Sequence, residues 1–110
     1  MPGRILIAGG PAVDAHRLAA RLSDAFLTVQ TVPDGRAALD RAMEGEPNLV
    51  IADLRAAGLS GLALCRALKS DPALDHVPLL IAGAGAAPRD RLAALEAGAD
   101  DFLALPIADA

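Results

Sequence analysis

Five short apolar runs are spaced along this chain with a helical stretch between each pair, and that alternation leaves few folds open. The runs are Arg4 to Ala8 (RILIA), Leu27 to Val32 (LTVQTV), Asn48 to Asp53 (NLVIAD), Val77 to Ala82 (VPLLIA) and Asp101 to Leu105 (DFLAL). Continuous apolar runs of this length read as strands covered on both faces. Residues 11–24 carry Val13, Leu18 and Leu22 at helical spacing, with Pro11 near the start, where a missing N–H costs little. Residues 36–44 read as a second helix, entered through Pro33, Asp34 and Gly35 and stopped by Gly45 and Pro47. Ser60 is placed to cap a third helix running to Lys69, and Gly98 to stop a fourth over 88–97. The order is βα four times and then β, which implies an α/β protein: a doubly wound parallel sheet with right-handed crossovers.

Ligands on such sheets sit beyond the carboxyl ends of the strands. The positions to weigh are therefore Gly9 and Gly10, Asp53 with Arg55, Gly83 to Gly85, and Leu105 with Pro106. At 110 residues the chain reads as one domain. It ends at Ala110, where a covering fifth helix is expected to begin, so residues 1–110 read as a fragment short of that helix. Its absence would leave apolar residues around strands one and five without cover.

Composition removes several classes of partner. Ten basic against 14 acidic residues give a net charge of -4, the wrong sign for a phosphate-backbone footprint, so no nucleic acid is expected. Aromatics are only 2% of the chain, which leaves few platforms for stacked bases or sugars. No apolar run approaches the ~20 residues that span a bilayer, and the N-terminus lacks a signal-peptide pattern, so no membrane partner is expected. The one cysteine, Cys65, lies in an apolar pattern and reads as a buried thiol in a reducing, cytoplasmic setting. Nine of the ten cations are arginines; Lys69 is the only lysine.

Residues 4–107 resemble the receiver domain of two-component response regulators. The segments that carry the likeness are RILIA, PDGRAAL at 33–39, PNLVIADLRAAGLSGLALCRALKSDP at 47–72, VPLLIA at 77–82 and LEAGADDFLALPI at 95–107. The connection LKSDPALDHVP looks most like the N-terminal receivers of diguanylate cyclase response regulators. The resemblance implies a flavodoxin-like five-stranded sheet in the order 2-1-3-4-5, here with the last helix missing or truncated. It also implies phosphoryl transfer from a histidine kinase to an aspartate ending strand three, a position matched by Asp53.

Family receivers place an acidic pair after strand one to help hold Mg²⁺, a hydroxyl residue after strand four and a lysine after strand five. A carboxylate attacking an anionic phosphoryl group needs that metal and cation to neutralise the charge that builds up. The matching positions here are Gly9 and Gly10, Gly83 and Leu105. The expectation is therefore a degenerate receiver, not an enzyme, without Mg²⁺ or another cofactor, acting in phosphorelay-type signalling as an interaction or dimerisation adaptor. Its expected surfaces are the fourth helix and fifth strand, which would take a protein partner or a second copy, with an output domain following. The alternative is a phosphorylatable receiver in which Asp53 accepts phosphoryl and Arg55 supplies the lost cation.

The residues leave two readings of Asp53 open: phosphoacceptor, or a turn residue capping nearby N–H groups. Arg55 either folds back onto Asp53 or is a solvated loop residue. Phe102 matches the aromatic position that family members couple to the hydroxyl residue, and with Gly83 opposite it simple core packing is expected. His16 reads as a surface residue and His76 as a loop histidine, and Asp100 and Asp101 read as exposed turn acids.

Overall fold

The computed structural model describes residues 3–11, 13–22, 27–84 and 88–105. The elements follow the expected order: β1 (Gly3–Ala8), α1 (Ala15–Leu22), β2 (Leu27–Val32), α2 (Gly35–Glu44), β3 (Leu49–Asp53), α3 (Gly61–Ser70), β4 (Leu79–Ala84), α4 (Pro88–Glu96) and β5 (Asp101–Leu105). The strands form one parallel sheet in the order β2-β1-β3-β4-β5. Residues 106–110, where the sequence places the start of a fifth helix, lie outside the described residues, as does the loop over 85–87.

Strand alternation divides the core in two. Leu6, Ala8, Val50, Ala52, Leu79, Ile81 and Phe102 point to the side covered by α2, α3 and α4, where they meet Ala38, Leu64, Leu68 and Ala94. Ile5, Ile7, Ile51 and Ala82 point to the other side, under Val13 and the α1 residues Leu18, Ala19 and Leu22. Alanine at 38, 42 and 94, each 1% exposed or less, lets the helices approach the sheet closely, which is how the core of a chain this poor in aromatics packs. The expectation of an uncovered first strand is corrected: α1 leaves Ile5 only 8% and Ile7 0% exposed. Leu103, in register with Ala82 and so on the α1 side of the edge strand, is 41% exposed.

Two elements start more than one residue from where the sequence places them. The first helix begins at Ala15, four residues past Pro11, and ahead of it Gly10 N–H donates to the carbonyl of Val13 (3.0 Å). Asp14 caps the helix instead, its Oδ1 accepting from Arg17 N–H at 3.1 Å. Strand four begins at Leu79 and not Val77, because Val77 N–H is spent on the carbonyl of Leu74 (3.0 Å) and Pro78 has no N–H to give. The other punctuation acts as read: Ser60 Oγ accepts from Ala63 N–H at 3.2 Å, and Gly98 ends α4 with φ +106°.

Candidate functional site

Asp53 closes β3 at the carboxyl edge of the sheet. Its strand is held on both sides, by β1 and by β4, so the residue's position is set by the centre of the fold. The side chain is 1% exposed and is the one buried charged residue among those described. Its Oδ2 accepts from Val13 N–H at 2.8 Å and its Oδ1 from Arg55 N–H at 2.8 Å. The carboxylate ties the main chain entering α1 to the loop leaving β3.

Gly9, Gly10 and Gly83 are among the glycines packed around this carboxylate and its neighbours. A Cβ on Gly10 would stand 2.7 Å from Asp53 Cγ, 2.8 Å from its Cβ and 2.9 Å from its Oδ2, so residue 10 and the Asp53 side chain compete for one space. A Cβ on Gly9 would meet Ala15 Cβ and the Val13 carbonyl oxygen, both at 3.0 Å. At Gly83 the equivalent space is closed by Leu54 Cδ2 at 3.1 Å and Phe102 Cζ at 3.3 Å. Phe102 is itself 1% exposed, among the largest fully buried side chains, with the Arg91 guanidinium 5.8 Å from its ring centroid.

The structure brings Gly10, Gly83, Asp53 and Phe102 to one end of the sheet. It does not bring the Arg55 guanidinium into that group by any described contact: Arg55 is exposed and meets Asp53 through its main-chain N–H. Leu105 ends β5 with its main chain beside Ala84; its side chain and Pro106 lie outside the described residues. His16 is exposed on α1. His76 is exposed and pairs with Glu46 at the far end of the molecule, where the strands begin. Among the described residues no group of three or more His, Cys, Asp and Glu side chains is placed to hold a metal ion.

In the sequence, Lys69 stands out only as a lysine absent from where a receiver needs one. In the structure its Nζ donates to the carbonyls of Val77 (2.8 Å) and Asp75 (3.2 Å) and reaches Asp100 Oδ2 at 3.4 Å. Asp100 Oδ2 in turn accepts from Leu79 N–H at 2.8 Å, so this acid, read as an exposed turn residue, pins the start of β4. No local signal points to this role, because the carbonyls Lys69 serves belong to the loop after α3 and not to the last turn of its own helix. Cys65, one turn earlier, is buried as expected and lies 3.2 Å from the carbonyl of Ala97; burial pushes its thiol pKa up, and the nearby Lys69 charge only partly opposes this.

Comparison with known proteins agrees with this architecture. The family model for the response regulator receiver domain matches residues 6–110. The chain is 36% identical over 109 residues to the response regulator PleD of Caulobacter vibrioides, a match covering 99% of this chain and 24% of PleD. It is 37% identical over 108 residues to the response regulator MprA of Mycolicibacterium vanbaalenii, covering 98% of this chain and 46% of MprA. Among solved structures, the signal receiver domain of a signal transduction histidine kinase from Syntrophus aciditrophicus superposes with a TM-score of 0.82 at 35% identity, covering 94% of this chain and 79% of that one. The chain therefore belongs to the receiver-domain family of two-component response regulators, and it spans a quarter to a half of the length of these two curated relatives. Among the described residues, no helix is long and apolar enough to cross a membrane.

Proposed function

We propose that this receiver works as an interaction adaptor in cytoplasmic two-component signalling and does not take up a phosphoryl group by the Mg²⁺-dependent route. The observation that carries the reading is the state of Asp53: buried, with each carboxylate oxygen accepting a main-chain N–H. A phosphoacceptor must present an oxygen to an incoming donor, with cations beside it.

The donor set does not fit Mg²⁺, which is held through carboxylates, waters and phosphate in near-octahedral geometry. Gly9 and Gly10 contribute no side-chain oxygen, and the space beside Gly10 is filled by Asp53 itself. Gly83 offers no hydroxyl, and its space is closed by Leu54 and Phe102. The one lysine is engaged at the other end of the sheet, on α3 and the start of β4.

Receivers act through kinases and output domains, and the surface favoured for this one is the sheet edge made by α4 and β5. Leu92 (59% exposed) and Leu95 (44%) lie on α4, and Leu103 (41%) lies on β5, facing the opposite layer. Large side chains exposed on both sides of an edge strand suit a docking surface. An output domain, a diguanylate cyclase in the narrower likeness, is the partner this reading expects.

The test is incubation of the chain with acetyl phosphate and Mg²⁺, followed by intact mass measurement and amide NMR. Unchanged mass and shifts are expected; an aspartyl phosphate on Asp53 would overturn the reading in favour of the phosphorylatable alternative.

A further inference from the structure

We propose that the outer face of α4 is a self-association surface: two copies of the chain lay their α4 helices against each other antiparallel, about a two-fold axis beside Leu92. The proposal deepens the adaptor reading, on which it rests for its place in signalling, by naming a second copy as what covers α4. The β5 side of that edge is left to an output domain.

α4 turns its small side chains to the core and its large ones to solvent. Ala94 is fully buried, Ala93 beside it is half-buried, and Ala97 packs against the same core just past the helix end. Both leucines of the helix, Leu92 and Leu95, are exposed, whereas the leucines of α1 and α3 pack on the sheet. Pro88, also exposed, Leu92 and Leu95 recur at intervals of four and three, so they form one apolar stripe along the outer face.

The charges beside that stripe fit a second copy of the same helix. Asp90 is half-buried, and Arg91 is engaged within the chain by the Phe102 ring and by Asp101 Oδ1 at 3.9 Å. Arg89 and Glu96 are exposed and have no ion-pair partner among the described residues. They lie two helical turns apart and so on one flank of the stripe. Arg89 stands in the first turn and Glu96 in the last, where no base accompanies it, the reverse of what the helix dipole favours. An antiparallel neighbour brings each charge beside its opposite. With Leu92 facing Leu92 across the axis, Leu95 meets Pro88 of the second copy and Arg89 meets its Glu96, each within one residue of level. A two-fold axis makes every such contact twice, as an isologous interface requires. A parallel neighbour would instead set the two arginine-bearing ends side by side. The stripe is small against the about 1,600 Å² that stable interfaces bury, so the association is weak and is read at high concentration.

The experiment is sedimentation velocity of the whole chain at low salt from about 10 µM to about 1 mM, a range that brackets a weak dimer. The parent is expected to pass from monomer toward dimer across it. Leu92→Glu sets two carboxylates face to face at the axis and is expected to stay monomeric, with an unchanged urea midpoint because Leu92 is exposed. Met43→Glu, at an exposed position of α2, is expected to dimerise as the parent does. Arg89→Glu and Glu96→Arg are each expected to weaken association about five- to tenfold, and the double swap to restore it to within about twofold of the parent, since opposite charges then face each other again. A parent still monomeric at about 1 mM, a Leu92→Glu chain that dimerises, or a double swap no tighter than the single variants would overturn the proposal. Where Leu92→Glu loses its fold, the charge swaps decide alone. No phosphoryl donor or metal is present, so this failure is distinct from that of the adaptor reading, which an aspartyl phosphate on Asp53 would sink.

Discussion

Phe102 and Gly83 share one space: the ring's Cζ lies 3.3 Å from where a Cβ on residue 83 would stand. The position that carries a hydroxyl in family receivers is here part of a packed wall, closed from the other side by Leu54. Gly83→Thr adds three heavy atoms to this wall and is expected to lower unfolding stability by about 1–3 kcal/mol, as overpacking of a well-filled core does. Urea denaturation checks it; a variant as stable as the parent would show that the wall yields freely.

The Lys69 ammonium serves carbonyls more than its ion pair. It donates to Val77 and Asp75, while Asp100, at 3.4 Å, has a side chain 57% exposed. Lys69→Met keeps the stem and removes the donors, at an expected cost of about 1–3 kcal/mol in the same assay. The cost should be nearly the same at low and high salt, because screening weakens the exposed ion pair and leaves the carbonyl bonds intact. A loss that vanishes in high salt would assign the work to Asp100 instead.

The buried Cys65 thiol gives the stability curve an alkaline limb. Burial raises its pKa in the folded chain, so the folded state keeps its proton where the unfolded chain, with an ordinary thiol pKa of about 8.5, has lost it. The sign follows: this contribution is fully present below the unfolded value and is lost as pH rises above it toward the folded value. Urea midpoints should fall more steeply above about pH 8.5 in the parent than in Cys65→Ala. Equal slopes would remove Cys65 as the cause.

Two helix caps should behave alike despite different chemistry. Asp34 Oδ1 accepts from Ala37 N–H at 2.8 Å at the start of α2, and Ser60 Oγ from Ala63 N–H at 3.2 Å at the start of α3. Alanine at either position should cost about 1 kcal/mol in thermal or urea unfolding. Because the two helices pack against each other, the double variant also tests whether the losses add.

The order of elements, the parallel sheet and its strand order, the Ser60 cap and the Gly98 stop were legible in the sequence. The strand order came with the family resemblance, and the rest depends on local signals: apolar period, capping side chains, and glycine where φ is positive. The start of α1 was not, because Pro11 and Asp14 are both good helix openers and only the Gly10–Val13 hydrogen bond decides between them. The start of β4 was misread for a similar reason: the Val77 side chain is apolar and buried, but its N–H belongs to a turn.

The sequence by itself determined which functional side chains the site cannot have: no acid at 9 or 10, no hydroxyl at 83, no lysine at 105. Residue types at given positions are read directly, whatever path the chain takes. Only the tertiary structure decided what the remaining groups do. Asp53 holds the entry to α1 and Lys69 clamps the start of β4 because a hydrogen-bond donor 40 positions from the one and an acceptor 8 positions from the other are brought within 2.8 Å of them. Distances of that kind are set by how strands and helices pack, and no local pattern in the chain encodes them.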